Sequence, residues 1–109
     1  MSRRTELLKG TLDLLILRTL ALEPRHGLAI AERIEQITRG TFVVKPGSLF
    51  PALHRLEQEG FIAGAWGESA DGRRVKTYHL ASAGRRQLER EKRQWDRIVF
   101  AMGRVLASG

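Results

Sequence analysis

The sequence predicts an α+β fold that is mostly helical: three helices, a β-hairpin, then one long terminal helix. Three observations predict it. Apolar residues recur at three- and four-residue spacing through segments 3–22, 28–38 and 49–56, as the inward face of a helix does. Asp71-Gly72, a dipeptide suited to tight turns, separates two short runs that read as paired strands. Beyond Ser82, Leu88, Trp95 and Met102 recur at every seventh residue, the spacing of a helical seam.

The first helix runs from Arg3 to Leu22. Leu7, Leu8, Leu12, Leu15, Ile16 and Leu20 form its main face, and Leu14 and Leu17 fill the other side. A helix apolar nearly all round is buried on more than one side, here against its own domain and against a partner chain. Pro24 ends it. Asp13 and Arg18 interrupt the apolar run and no small-residue cleavage site follows, so the segment reads as a structural helix of a cytoplasmic protein rather than a signal peptide. No run approaches the length of a membrane span.

After a short break at His26-Gly27, Ile30, Ile34 and Ile37 mark a second helix from Leu28 to Thr38, closed by Arg39-Gly40. Thr41 to Lys45 (TFVVK) is β-branched and aromatic, and reads as a small strand. The third helix starts near Pro51. A proline there cannot donate to the Gly47 carbonyl, so Ser48 is the expected N-cap. Leu49, Leu53 and Leu56 form its buried stripe with Ala52 beside it, and Gly60 stops it. Phe61 to Trp66 and Arg73 to Leu80 are the two hairpin strands. The last helix runs from Ser82 to about Leu106. Its seam is Leu88, Trp95 and Met102 with Ile98 and Val105, and Glu91 is a polar exception. Residues 1–80 are the expected domain body and 81–109 a dimerisation helix.

Composition narrows the function. A chain of 109 residues buries a modest core, so long apolar helices invite a second subunit. The net charge of +7 favours an anionic partner, nucleic acid or a membrane surface, unless it serves only solubility. The absence of cysteine removes disulfides and thiolate catalysis. His26, His54 and His79 lack metal-ligand spacing; His26 suits a helix start and His79 a strand. No glycine-rich phosphate loop occurs, so neither a cofactor nor an enzyme activity has support.

Three helices followed by a hairpin make a winged helix-turn-helix, in which the third helix enters the DNA major groove. Ser48, Pro51, His54 and Arg55 lie off the buried stripe and are candidate DNA contacts; the plainer alternative is a solvated helix face. Arg73, Arg74 and Lys76 on the hairpin are candidate phosphate or minor-groove contacts, with Lys45 a further one. Arg85, Arg86, Arg90, Lys92 and Arg93 are interleaved with Glu89, Glu91 and Asp96 and read as a solvated face. Trp95 reads first as dimer packing, and second as a platform for a flat aromatic effector. Trp66 reads as packing within the wing. Two rival readings stand beside sequence-specific DNA binding: a winged-helix protein-interaction module and a non-specific DNA-binding protein.

Four segments also resemble the PadR family of bacterial transcriptional regulators: LKGTLDLLILRTLAL at 8–22, HGLAI at 26–30, GSLFPALHRLEQEGFI at 47–62 and RRVKTYHLASAGRRQLE at 73–89. The short tail after the wing is similar to that of the small subfamily with one long C-terminal helix. The resemblance implies a homodimeric repressor on double-stranded DNA, with an inverted-repeat operator and, in some members, a small aromatic effector. The expected dimer interface is Leu8, Leu12, Leu15, Leu88, Trp95, Ile98, Met102 and Val105. One departure stands out. Phe50 occupies a position where family members usually carry a tyrosine near the DNA backbone, so that hydroxyl is missing here.

Overall fold

The computed structural model describes residues 9–108. In chain order the described residues form α1 (Lys9–Leu22), β1 (Arg25–His26), α2 (Gly27–Ile37), α3 (Pro46–Gln58), β2 (Ile62–Glu68), β3 (Arg74–Leu80) and α4 (Ser82–Ala107). The expected start of the first helix at residue 3, with Leu7 and Leu8, lies outside the described residues.

The all-round apolar pattern of α1 makes it the spine of the molecule. Leu12, Ile16, Leu17 and Leu20 are buried, and Leu14 and Leu15 pack against the same core. Thr19 is buried among them and donates its hydroxyl to the Leu15 carbonyl at 2.7 Å. That bond removes the penalty of an unpaired polar group in the core.

α2 begins where His26 accepts a hydrogen bond at Nδ1 from the Ala29 N–H (3.4 Å), so the expected helix-start role of His26 is met. Ile30 and Ile34 are buried, whereas Ile37, the last residue of the helix, is exposed. Arg39 and Gly40 both have left-handed backbones (φ 51° and 78°), and the Gly40 N–H closes the helix on the Glu35 carbonyl at 2.9 Å.

The expected strand Thr41–Lys45 does not form. Arg25–His26 takes the sheet position instead, pairing with Tyr78 and Thr77. The sheet order is β1-β3-β2, so β3 has a neighbour on each side. The 41–45 run uses its apolar side chains to cover the core, with Val44 buried and Phe42 packed beside it.

α3 also begins earlier than expected. Lys45 rather than Ser48 is the N-cap, and Pro46 occupies the first turn, where its fixed φ suits a helix start. The Ser48 and Leu49 N–H groups both donate to the Lys45 carbonyl (3.0 and 2.9 Å). Pro51 therefore falls in the second turn and removes one rung, the Gly47 acceptor's. Leu49, Ala52, Leu53 and Leu56 bury the inner stripe as expected.

β2 and β3 pair antiparallel from Ile62↔Leu80 to Glu68↔Arg74. Gly72, at φ 81°, makes the turn. α4 then starts hard against this sheet. A Cβ at Gly84 would land on the Phe61 carbonyl, so only glycine lets the helix approach this closely. Gly84 and Leu88 are buried, so the core extends past residue 80 into α4. From Lys92 to Ser108 every residue is exposed, and the molecule measures 58 × 37 × 21 Å.

Candidate nucleic-acid interface

Pinning Leu49, Leu53 and Leu56 inward turns the other side of α3 to solvent. Lys45, Ser48, Phe50, Pro51 and His54 are all exposed. Ser48, Pro51 and His54 follow at helical spacing and form one continuous polar face. Phe50 is only partly free. Its ring lies over buried Gly27 at the start of α2, where an added Cβ would come within 2.9 Å of the ring.

Arg55 does not join this face. Its guanidinium donates to the Asp13 carboxylate on α1, and the two side chains are 28% and 14% exposed. The spacing that makes Arg55 a candidate DNA contact places it at the edge of the stripe, where Asp13 takes its guanidinium. A largely covered carboxylate needs a hydrogen-bonding or cationic partner, and Asp13 among the leucines of α1 is the sequence signal of that need.

The wing presents its cations unequally. Arg73 is 82% exposed and lies 3.4 Å from Asp71. The Asp71 carboxyl is held below its usual range, first by the Ser69 hydroxyl. Arg74 stacks on the Trp66 ring, 4.6 Å from its centroid. Trp66 is exposed on the wing surface rather than packed beneath it. Lys76 turns back toward α3 and donates to Glu57 Oε1 at 2.8 Å. It also lies 5.3 Å from the Tyr78 ring. The Lys76 hydrogen bond holds the Glu57 carboxyl below its ordinary value, and the same bond holds the Lys76 ammonium above its own. Burial pushes the Tyr78 hydroxyl up. Arg73 and Arg74 are thus open to an anion, whereas Lys76 is engaged within the chain.

The expected dimer residues divide in the same way. Trp95, Ile98, Met102 and Val105 are exposed on α4, and Val99 and Leu106, which the heptad reading missed, extend the same stripe. Leu12 and Leu88 are buried in the chain's own core and have little surface to offer a partner. Leu15 is half-buried against that core, and Leu8 lies outside the described residues. A groove of about 460 Å³ runs between α1 and α4, lined by Gly10, Thr11, Leu14, Glu91, Gln94, Trp95 and Ile98. Of this lining the sequence singles out Trp95 and Ile98, both as seam residues and Trp95 also as an effector platform.

Among the described residues no helix is long and apolar enough to cross a membrane, and no cluster of His, Asp and Glu is placed to hold a metal.

Residues 16–90 match the family described as "Transcriptional regulator PadR-like family". Transcriptional regulator Rv3488 of Mycobacterium tuberculosis is 30% identical over 94 residues, 86% of this chain and 84% of that protein. Among solved structures, a PadR-like transcriptional regulator of Bacillus cereus is 28% identical with a TM-score of 0.82, covering 96% of this chain and 100% of its own. A PadR family transcription regulator of Clostridium difficile R20291 is 31% identical with a TM-score of 0.77, covering 87% of this chain and 97% of its own.

Proposed function

The chain belongs to the PadR-like family of transcriptional regulators, a DNA-binding family, and we propose that it is a homodimeric repressor that seats on an inverted-repeat operator and blocks polymerase. One observation carries this reading: α3 exposes the Ser48–Pro51–His54 face beside a wing whose Arg73 and Arg74 are open to solvent. Ser48 and His54 can bond base edges or phosphates. Arg73 and Arg74 suit phosphates or an adjacent minor groove. Lys45, at the start of the same helix, suits a phosphate. Arg55 supports the reading helix from behind.

The exposed α4 stripe supports dimerisation. Burying Trp95, Ile98, Met102 and Val105 against a second copy would remove from water an apolar surface too long for a stable monomer to leave bare. Two reading helices would then enter successive major grooves about 34 Å apart, in the cytoplasm where promoters lie. The groove against Trp95 suits a flat aromatic effector, which would act by favouring one dimer geometry over another.

The test is binding to DNA from upstream of the protein's own gene, against scrambled DNA, across a salt series. Selective binding with a steep salt slope is expected. Equal affinity for both DNAs at every salt concentration, repeated against a genome-wide pool, would refute sequence-specific repression.

A further inference from the structure

Wing and reading helix meet through one charged contact. Glu57 sits on α3, one residue before its final Gln58. Lys76 sits on β3, in register with Trp66 of β2. Its ammonium crosses the sheet face to reach Glu57 Oε1 at 2.8 Å.

The crossing is built into the sequence. Gly64 lies beneath the Lys76 stem, and a Cβ there would strike Lys76 Cε and come within 3.2 Å of Glu57 Oε2. The Gly64 backbone N–H faces the same carboxylate. The ammonium is further held near the Tyr78 and Trp66 rings, at 5.3 and 6.0 Å. Both charged side chains are about three-quarters covered, at 26% and 29% exposed.

Beyond this point the wing has little else to hold it. β1 pairs only with Thr77 and Tyr78, so residues 66–76 form a two-stranded ribbon, and residues 65–68 and 71–74 are exposed. An isolated two-stranded hairpin is marginally stable in water. We propose that the Glu57–Lys76 pair is a brace that fixes the angle of the wing to α3, making both residues positioning residues for DNA binding; the inference rests on the DNA-binding reading above.

The brace and the simple alternative predict opposite signs. If Lys76 were a phosphate contact, Glu57 would be a repulsive charge beside DNA, and removing it would tighten binding. If the pair is a brace, removing either partner loosens the wing and weakens binding, although Glu57→Gln makes the surface more positive. The experiment compares wild type, Glu57→Gln, Lys76→Met and the swapped pair Glu57→Lys/Lys76→Glu on the selected operator, over a salt series, with melting curves as the check on folding. Each single variant should lose about tenfold in affinity, and the swap, which sets a carboxylate against the Tyr78 and Trp66 rings, should recover only part of it. Tighter binding by Glu57→Gln, together with a salt slope lowered by about one unit in Lys76→Met, would overturn the brace.

A second readout needs no DNA. The chain has no cysteine, so Ala70→Cys places one spin label at the wing tip. The label's spectrum should narrow in Glu57→Gln as the wing gains freedom; an unchanged spectrum would overturn the brace. If the wild type binds no DNA selectively, the DNA-binding reading falls by itself, and the spin label still decides whether the brace exists.

Discussion

Arg55→Ala separates the DNA contact that the sequence suggests from the ion pair in which the fold places this residue. The structure seats the Arg55 guanidinium against Asp13, with side chains 28% and 14% exposed. Exposed ion pairs contribute about 0–1 kcal/mol, and breaking a fully buried pair costs about 3–5 kcal/mol because one charge stays buried alone. Exposures of this size fall between those limits, so Arg55→Ala should cost about 2–3 kcal/mol. For a domain of this length that is a fall in melting temperature of about 10–20 °C. The assay is thermal and urea unfolding at one fixed protomer concentration, since assembly shifts apparent stability. Asp13→Ala and the double variant complete a cycle whose coupling should be about 1–2 kcal/mol. At a temperature where Arg55→Ala is folded, its preference at every operator position should be retained. A variant that melts with wild type, shows no coupling to Asp13 and loses preference at one base pair would refute this reasoning and return Arg55 to the reading face.

The remaining expectations are more compact. Gly84→Ala gains up to about 1 kcal/mol in helix propensity but forces a methyl onto the Phe61 carbonyl, which costs about 1–3 kcal/mol; a lower melting temperature is expected, and a higher one would show that α4 can shift freely. The stability difference between wild type and Glu57→Gln should be flat through neutral pH. Glu57 is held below its ordinary 4.5, so its contribution is present above that pH and is lost as pH falls through the lowered value. Lys76 is held above its ordinary 10.5, so its contribution is present below that pH and is lost as pH rises through the raised value. Urea midpoints across the pH range check both flanks. Trp95→Ala should raise the dimer dissociation constant at least about tenfold in sedimentation equilibrium, as loss of a large aromatic anchor does; an unchanged constant would remove Trp95 from the interface.

Much of this fold is written locally. Leu49, Leu53 and Leu56 are buried as their spacing requires, and Asp71-Gly72 turns the hairpin where the dipeptide predicts. What the sequence hid depends on long-range pairing. Arg25–His26 is a strand only because Thr77 and Tyr78 lie beside it, and two residues have no periodicity to read. TFVVK has strand-like residues, but its apolar side chains cover the core, with Val44 buried and Phe42 beside it, instead of lining a sheet. Ser48 looked like a cap because Pro51 seemed to need an early position, yet Lys45 and Pro46 tolerate one missing rung further in. The candidate site was legible at Ser48, Pro51 and His54, which depend on the periodicity of α3 alone. It was not legible at Arg55 and Lys76, whose directions are set by Asp13 and Glu57 on other elements.

The bare half of α4 has a consequence for the life of the protein. Past the groove against α1, the rest of α4 is exposed to its end, and a helix segment without tertiary packing is only marginal in water. In the dimer proposed above, a second copy would cover this stretch and lend it order. Newly made chains that had not met a partner would then keep this end open to proteases, and paired chains would not. The amount of regulator in a cell would then be filtered by its own concentration: sparse copies are cleared, and abundant ones protect each other.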